Sequence, residues 1–296
     1  TLTSYALIGW FLGTQNARVP FVIFLTINVT NIVLDLVFVL GLGMQVEGVA
    51  LASVIAEYAG AAVGAAFVVG TLRRHPGDWL AGKLTGIGEY AAFFSVNSNL
   101  FIRTLALMFT LTFVTAQGAR MGGTILAANA LLMNLQNLTA FALDGIAHAA
   151  EALVGKAIGA GRRDALEASV RLTLRWSLWF AVGLSLSYVV LGPVMVHVLT
   201  DLAEVRAAAF RYLPWLIASP LVSVWSFLYD GVFVGATRAR EMRDIMLASA
   251  VVFLITWWLT VSYGNDGLWF AFLVFLAARG LGMHVFYRRV VLPAAV

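Results

Sequence analysis

The sequence predicts an all-α polytopic membrane protein built from two six-helix lobes related by a parallel repeat, the first lobe being truncated. Three observations support this fold: the composition is strongly apolar, the apolar segments have the length of membrane spans, and a short motif occurs twice. Of the 296 residues, 61% are hydrophobic and only 11% are charged, and the mean hydropathy is +0.90. Such a composition excludes an ordinary water-soluble domain of this size, so the bilayer is expected to be the solvent.

Eight segments are long and apolar enough to cross a bilayer, for which a helix needs roughly 20 mostly apolar residues. They are residues 19–43, 48–70, 87–117, 122–158, 170–199, 205–236, 245–263 and 268–287. Residues 1–13 look like the end of a ninth span whose beginning is absent. The alternating pattern of β-barrel strands is missing from these segments, which favours helices. The longest segments are expected to continue as helix beyond the bilayer or to carry kinks.

The basic residues are distributed unevenly between the two sides of the membrane. Fourteen of the 19 Lys and Arg residues lie in one set of connections, whereas three lie in the alternate connections and two lie inside spans. By the positive-inside rule, the side with fourteen is cytoplasmic. The net charge of +4 therefore indicates topology and not a nucleic-acid partner. There are no cysteines, which excludes disulfides and thiolate metal sites.

A repeated motif defines the two lobes. Residues 9–18 read GWFLGTQNAR and residues 231–240 read GVFVGATRAR, and two spans follow each copy. Four spans precede the second copy, so the repeat unit has six helices, and an even number places both units the same way up. We therefore expect twelve spans in the parent protein. The domains are then 1–72, the end of helix 4 with helices 5 and 6 of the first lobe; 73–85, a cytoplasmic linker; and 86–296, the second lobe.

The first complete span holds one carboxylate, Asp35, in an almost wholly apolar run. Asn31 lies four residues before it on the same helix face, and Asn28 extends that stripe. Ser53 and Glu57 lie at a similar depth on the span that runs back, and the second copy of the repeat has no acid at the matching positions. An acid in the hydrocarbon region is costly and by default marks an ion or proton path. A polar contact that holds helices together is the alternative.

Other ionisable residues inside spans are expected to form structural ion pairs. Arg103 has Asp144 in the adjacent helix as its expected partner, and Asp230 is expected to pair with Arg279. Motifs of soluble enzymes are not found: there is no HExxH, no paired histidine ligands and no nucleophile with a base, and the GKAIGAGRR segment lacks the order of a phosphate loop. The sequence therefore predicts neither catalytic residues nor a protein-bound metal, sodium at Asp35 excepted.

Several motifs together resemble the multidrug and toxic compound extrusion (MATE) transporters, in particular the DinF branch. The resemblance covers essentially the whole chain and implies that three to four N-terminal helices are lacking. Its residues are GWFLGTQNAR, NIVLDLVFVLGLG, EGVALASVIAEY, FALDGIAHAAEALVGKAIGAG and YDGVFVGATRAREMR. The resemblance implies that Asn31, Asp35 and Ser53 belong to a coupling-ion site, Ser replacing the more usual Thr. Glu57 and Asn28 are the accessory candidates.

The function implied by the resemblance is antiport, in which proton or sodium entry drives export of organic, often cationic amphipathic compounds. The residues fit both ions, because a carboxylate can exchange a proton and its oxygens, with those of Asn and Ser, suit sodium. The alternative is a flippase for lipid-linked oligosaccharides with a related two-lobed architecture. We expect no cofactor beyond H⁺ or Na⁺, no enzyme activity, and a monomer in the bilayer of the bacterial cytoplasmic membrane. The basic loops and the C-terminus are then expected to be cytoplasmic. The expected partners are the lipid bilayer and a small organic substrate, and no nucleic acid.

Overall fold

Long helices form nearly all of the protein. The computed structural model describes residues 2–74 and 87–293, and the chain divides into two units, Thr1–Gly86 (unit 1) and Ile87–Val296 (unit 2). Within the described residues there is no β-strand, and eight helices are long and apolar enough to cross a membrane. The prediction of an all-α protein with eight complete spans is confirmed.

Unit 1 contains three helices. They are α1 (Leu2–Gly13), α2 (Arg18–Asp35), which continues as a π-helix over Leu36–Gly41, and α3 (Val46–Arg74). The face that α3 buries repeats every four residues and carries only small side chains, namely Gly48, Ala52, Ala56, Gly60 and Gly64. Small residues at this spacing let membrane helices approach closely. A side chain at Gly60 would collide with Ile27 of α2, so this stripe fixes how α3 lies against α2.

Unit 2 contains six helices, α4 (Ile87–Arg120), α5 (Gly123–Gly159), α6 (Arg163–Leu199), α7 (Ala203–Gly235), α8 (Ala239–Thr260) and α9 (Asn265–Phe286). Among the described residues of unit 2, the two larger of three clusters of buried side chains lie around Leu132, Phe253 and Trp269 and around Val232 and Phe233. Many other large apolar side chains are exposed. In a bilayer such side chains face lipid, so their exposure is consistent with eight spans.

The two copies of the repeated motif have the same backbone conformation. Gln15 and Thr237, which occupy equivalent motif positions, have φ of 61° and 56°, and among the described residues no other non-glycine has a positive φ. The turn hydrogen bonds match as well: the N–H of Asn16 donates to Phe11 O and that of Arg238 donates to Phe233 O, both at 2.9 Å. A left-handed conformation is costly for such residues. Its recurrence at equivalent positions supports a genuine duplication.

The helices extend past the apolar segments that predicted them. α6 begins at Arg163 and not near residue 170; its first two turns carry the charged residues Arg163, Asp164 and Glu167 and so were not part of the apolar segment, although Leu166 is buried there. Its 37 residues make it about 55 Å long, well beyond the ~30 Å hydrocarbon layer. The predicted linker 73–85 lies mostly outside the described residues, although Arg73 and Arg74 still belong to α3. The domain boundary at the linker therefore stays a prediction.

Close packing of α7 on α5 requires glycine at position 231. A Cβ there would collide with the backbone carbonyl of Ala147, whereas a Cβ at Gly183 would meet nothing within 4 Å. We expect Gly231→Ala to destabilise the protein by about 1–3 kcal/mol, the usual cost of overpacking. Gly183→Ala is the matched control, because both variants share the gain in helix propensity. Thermal unfolding in detergent measures the difference, and equal melting temperatures for the two variants would contradict this packing.

Candidate functional site

Asp35 lies at a break in regular helix geometry. It is the last α-helical residue of α2, and the next residue begins the π-helical segment Leu36–Gly41. At the end of that segment the N–H of Leu42 donates to Val37 O, five residues back, at 2.9 Å. Segments of π-helix are uncommon and occur frequently at functional sites. The apolar run around Asp35 gives no sequence signal for this change.

Asn31 and Ser53 meet beside Asp35. The Asn31 amide is oriented so that its donor and acceptor both find hydrogen-bond partners. Its nitrogen donates to Asp35 Oδ2 at 3.3 Å, and its oxygen accepts from Ser53 Oγ at 3.1 Å and from Ser53 N at 3.3 Å. Ser53 follows Ala52 in the small-residue stripe of α3, so the close approach of α3 to α2 brings its hydroxyl to the amide. The structure therefore places the three residues of the predicted ion site in one cluster.

The carboxylate of Asp35 is only partly satisfied. Its Oδ1 is buried and has no hydrogen-bond partner, and within residues 2–74 and 87–293 no basic side chain forms an ion pair with it. Carboxylate, amide and hydroxyl oxygens are the ligands that a hard cation prefers. The arrangement can therefore hold a small cation between Asp35, Asn31 and Ser53, or a proton on the carboxylate.

The two accessory candidates, Glu57 and Asn28, form hydrogen bonds outside the cluster of Asn31, Asp35 and Ser53. Glu57 Oε2 accepts a hydrogen bond from Ser4 Oγ of α1 at 3.3 Å, which links α3 to α1. The Asn28 side chain is exposed, and its nitrogen donates to Phe24 O of its own helix at 2.8 Å. Asn28 is therefore satisfied locally, and the structure gives it no contact with Asp35. The link between Ser4 and Glu57 was not expected from the sequence.

The buried charges of unit 2 pair partly as expected: Asp230 pairs with Arg279 as predicted, but Arg103 pairs with Asp230 and not with Asp144. Asp230 Oδ2 on α7 accepts from Arg279 Nη2 of α9 at 2.7 Å and also from Arg103 Nη2 of α4 at 2.5 Å. The expected pair of Arg103 with Asp144 is wrong, and in the described part of the chain Asp144 forms no ion pair. The reason is geometric: Asp230 Oδ2 contacts both guanidinium groups, whereas the Asp144 side chain on α5 bonds to neither of them.

These charges lie in a cavity of about 390 Å³ inside unit 2. Helices α4, α5, α7 and α9 line it, and its polar side chains are Arg103, Gln136, Asn137, Asp144, His148, Glu151, Asp230 and Arg279. The cavity was not expected from the sequence. A signal was present on α5, where Asp144, His148 and Glu151 are spaced four and three residues apart and so share one face.

Comparison with known proteins assigns the family. The MatE family model matches residues 99–259, which is more than half of the chain. The chain belongs to the MatE family. This is a transporter family, and in the described part of the MatE chain eight helices are long and apolar enough to cross a membrane.

Related sequences agree with the MatE assignment. The chain is 41% identical to DNA damage-inducible protein F of Escherichia coli (strain K12) over 98% of its own length. It is 24% identical to protein DETOXIFICATION 43 of Arabidopsis thaliana over 95% of its length. The chain spans 63% of the bacterial relative and 52% of the plant relative.

Solved structures share the fold of this MatE chain. A crystal structure of a mutant of the Vibrio cholerae MATE transporter VcmN has a TM-score of 0.86 at 20% identity, covering 97% of this chain and 65% of that one. An outward-facing multidrug resistance MATE family transporter has a TM-score of 0.88 at 16% identity, covering 98% of this chain and 66% of that one. At such identities the likeness shows the fold alone.

Proposed function

We propose that the protein exports organic, often cationic amphipathic compounds by ion-coupled antiport, and that Asn31, Asp35 and Ser53 bind the coupling ion. The observation that carries the proposal is the Asp35 carboxylate, whose Oδ1 is buried without a partner in a membrane-spanning helix. An ionised carboxylate in such a place is unstable until a cation or a proton neutralises it. Family membership supports transport as the activity that uses this binding.

The coupling ion is a proton or sodium. A proton would bind Asp35 directly, while Asn31 would keep its hydrogen bond to the carboxylate. Sodium would be held by oxygens of Asp35, Asn31 and Ser53, with the Asn31 amide in the orientation in which its nitrogen donates to Ser53 Oγ at 3.1 Å and its oxygen faces the carboxylate. In both cases the cation removes the uncompensated charge of Asp35 from the low-dielectric interior.

Ion binding can drive the change of access only if the inward-open and outward-open states have different affinities for the ion. A ligand shifts a conformational equilibrium by no more than its difference in affinity for the two states. In this protein the α2–α3 contact holds Asn31 and Ser53 at the carboxylate, so any rearrangement of α2 at its π-helical segment changes the ligand set. We infer that such a rearrangement links ion release to the change of access.

The proposed orientation in the membrane is based on the distribution of Lys and Arg residues. The basic connections and the C-terminus are proposed to be cytoplasmic, in a bacterial cytoplasmic membrane, because most Lys and Arg residues lie on one side of the spans. The protein is proposed to act as a monomer, to have no enzymatic activity and to need no cofactor other than the coupling ion.

The flippase alternative receives less support. It requires cationic side chains that are available to hold a pyrophosphate group in a cavity. Arg103 and Arg279 do line the unit 2 cavity, but both bond to Asp230, which partly neutralises them. The charges of unit 2 therefore favour an exporter of organic cations over a carrier of pyrophosphate lipids.

Transport in proteoliposomes tests the proposed function. Vesicles containing the full-length protein are loaded with a cationic dye, and either a proton gradient or a sodium gradient is imposed. We expect one of the two gradients to drive dye movement above that of protein-free vesicles. If neither gradient drives dye movement while a radiolabelled lipid-linked oligosaccharide is translocated, the flippase alternative replaces this proposal.

Glu57 is expected to matter less than Asp35. Since Glu57 Oε2 is bonded to Ser4, a glutamine at this position can keep a polar contact with α1. We expect Glu57→Gln to retain a larger share of gradient-driven transport than Asp35→Asn, measured in the same vesicles at equal protein content. The reverse ranking would mean that Glu57 is the carboxylate that carries the ion.

A further inference from the structure

The cavity of unit 2 holds one carboxylate more than its ion pairs use. Asp230 serves both arginines, and it does so through Oδ2 alone, since its Oδ1 is buried without a partner. Arg279 is almost fully buried, at 3% side-chain exposure, and its Nε also lacks a partner. Asp144 is half-buried in the same cavity and, within the described residues, makes neither an ion pair nor a hydrogen bond through its side chain.

The charged groups close enough to act on Asp144 come from four helices. They are Arg103 on α4, Asp230 on α7, Arg279 on α9, and His148 on its own helix α5. In the described part of the chain, α6 also packs on α5 but contributes no side chain to the cavity lining. An ionised Asp144 would add a second negative charge beside Asp230 and would compete with it for the arginines. A protonated Asp144 would leave both arginines on Asp230, as the structure shows.

A polar path connects Asp144 with one end of α5. His148 is one turn further along the same face, and its Nδ1 lies 3.4 Å from Glu151 Oε2. The His148 side chain is 60% exposed and that of Glu151 is 34% exposed, so both can reach water. The path leads towards the end of α5 that carries Lys156, which is the cytoplasmic end in the proposed topology.

We propose that Asp144 is a proton-binding site of unit 2, that it exchanges its proton with the cytoplasm through His148 and Glu151, and that its deprotonation draws Arg103 away from Asp230. The inference rests on the proposed function for the direction of exchange. The proton leaves the Asp144 carboxyl for the imidazole of His148, and the imidazolium then passes it to Glu151 or to water. The cavity becomes one unit more negative when the proton leaves, and the new carboxylate is stabilised by a hydrogen bond from Arg103.

Infrared difference spectroscopy of the full-length protein in lipid nanodiscs tests this site without substrate. A buried protonated carboxylic acid gives a carbonyl stretching band that disappears when it ionises. We expect a pH titration of the wild type to show a band from Asp144, separate from any band of Asp35; Asp144→Asn is expected to remove that band and Asp144→Glu to shift it. Asp201→Asn is the matched control, because Asp201 is fully exposed, and it is expected to change nothing.

Two further variants test the proposed roles of Arg103 and of the His148–Glu151 pair in the titration of Asp144. Arg103→Met removes a positive charge that favours the ionised carboxylate, so the band is expected to persist to a pH higher by about 1 unit. The double variant His148→Gln with Glu151→Gln is expected to keep the band but to slow its response to a pH jump by roughly tenfold or more.

The inference is overturned if the Asp144→Asn and Asp144→Glu spectra both equal that of the wild type, or if Arg103→Met leaves the midpoint unchanged. Because this measurement needs no transport, its outcome separates from that of the proposed function. Loss of export in Asp35→Asn with no Asp144 band would support the antiport proposal and reject the Asp144 site. An Asp144 band in a protein whose export neither gradient drives would support the Asp144 site and reject antiport.

Discussion

Asp35→Asn is expected to reduce gradient-driven export by the full-length protein to the level of protein-free vesicles. Asparagine has nearly the same shape but cannot ionise, so it can neither take up a proton nor offer a charged ligand to sodium. Among the described residues Asp35 has a buried, unpartnered oxygen and no ion pair that the variant would break. The measurement is the initial rate of dye movement at equal protein content.

The control for this prediction separates loss of function from loss of folding. Asp201→Asn makes the same chemical change at a fully exposed position and is expected to transport like the wild type. Both variants are expected to melt within a few degrees of the wild type in detergent. Export by Asp35→Asn at the wild-type rate would remove the ion site from Asp35, although it would leave the fold and the family unchanged.

Asp230→Asn is expected to destabilise the protein more than any other single polar substitution in unit 2. It leaves Arg103 and Arg279 without a counterion, at side-chain exposures of only 18% and 3%. Removing one partner of a buried ion pair typically costs about 3–5 kcal/mol, because the remaining charge is uncompensated. Thermal unfolding and the yield of monodisperse protein measure this effect.

A compensated variant distinguishes an unpaired charge from a change of shape. When Arg103→Met, Asp230→Leu and Arg279→Met are combined, no charge of this cluster remains, and stability is expected to recover most of the loss, since apolar replacements of buried ion pairs are often neutral or stabilising. If Asp230→Asn alone melts with the wild type, then Asp230 does not neutralise the arginines in the way described.

The sequence predicted features that depend on local pattern. Membrane spans are visible because every one needs a long apolar run, and the shared face of Asn31 and Asp35 follows from helical periodicity alone. Ser53 was placed correctly next to them because α3 must run back from a short turn after α2. The duplication was visible because residues 9–18 and 231–240 share the same motif, and in the structure Gln15 and Thr237 show that the two copies also share an unusual backbone conformation.

Other features were beyond sequence reasoning because they depend on tertiary packing. Asp230 lies between the arginines only because α4, α7 and α9 converge at one depth, and no spacing along the chain encodes that convergence. The partner of Arg103 was therefore predicted wrongly. The π-helical segment after Asp35 is likewise invisible in an apolar run. Asn129 illustrates the same point: its amide, buried among Asn265 and Trp269, holds α5 to α9.

Substrate-driven ion movement tests the central claim most directly, namely that Asp35 carries the coupling ion. Vesicles with the full-length protein and no ion gradient receive a gradient of cationic substrate, and the opposite movement of protons or sodium is recorded with an ion-sensitive dye. We expect ion counterflow with the wild type and with Asp201→Asn, and none with Asp35→Asn. Ion counterflow of wild-type size in Asp35→Asn would contradict the claim that Asp35 carries the coupling ion.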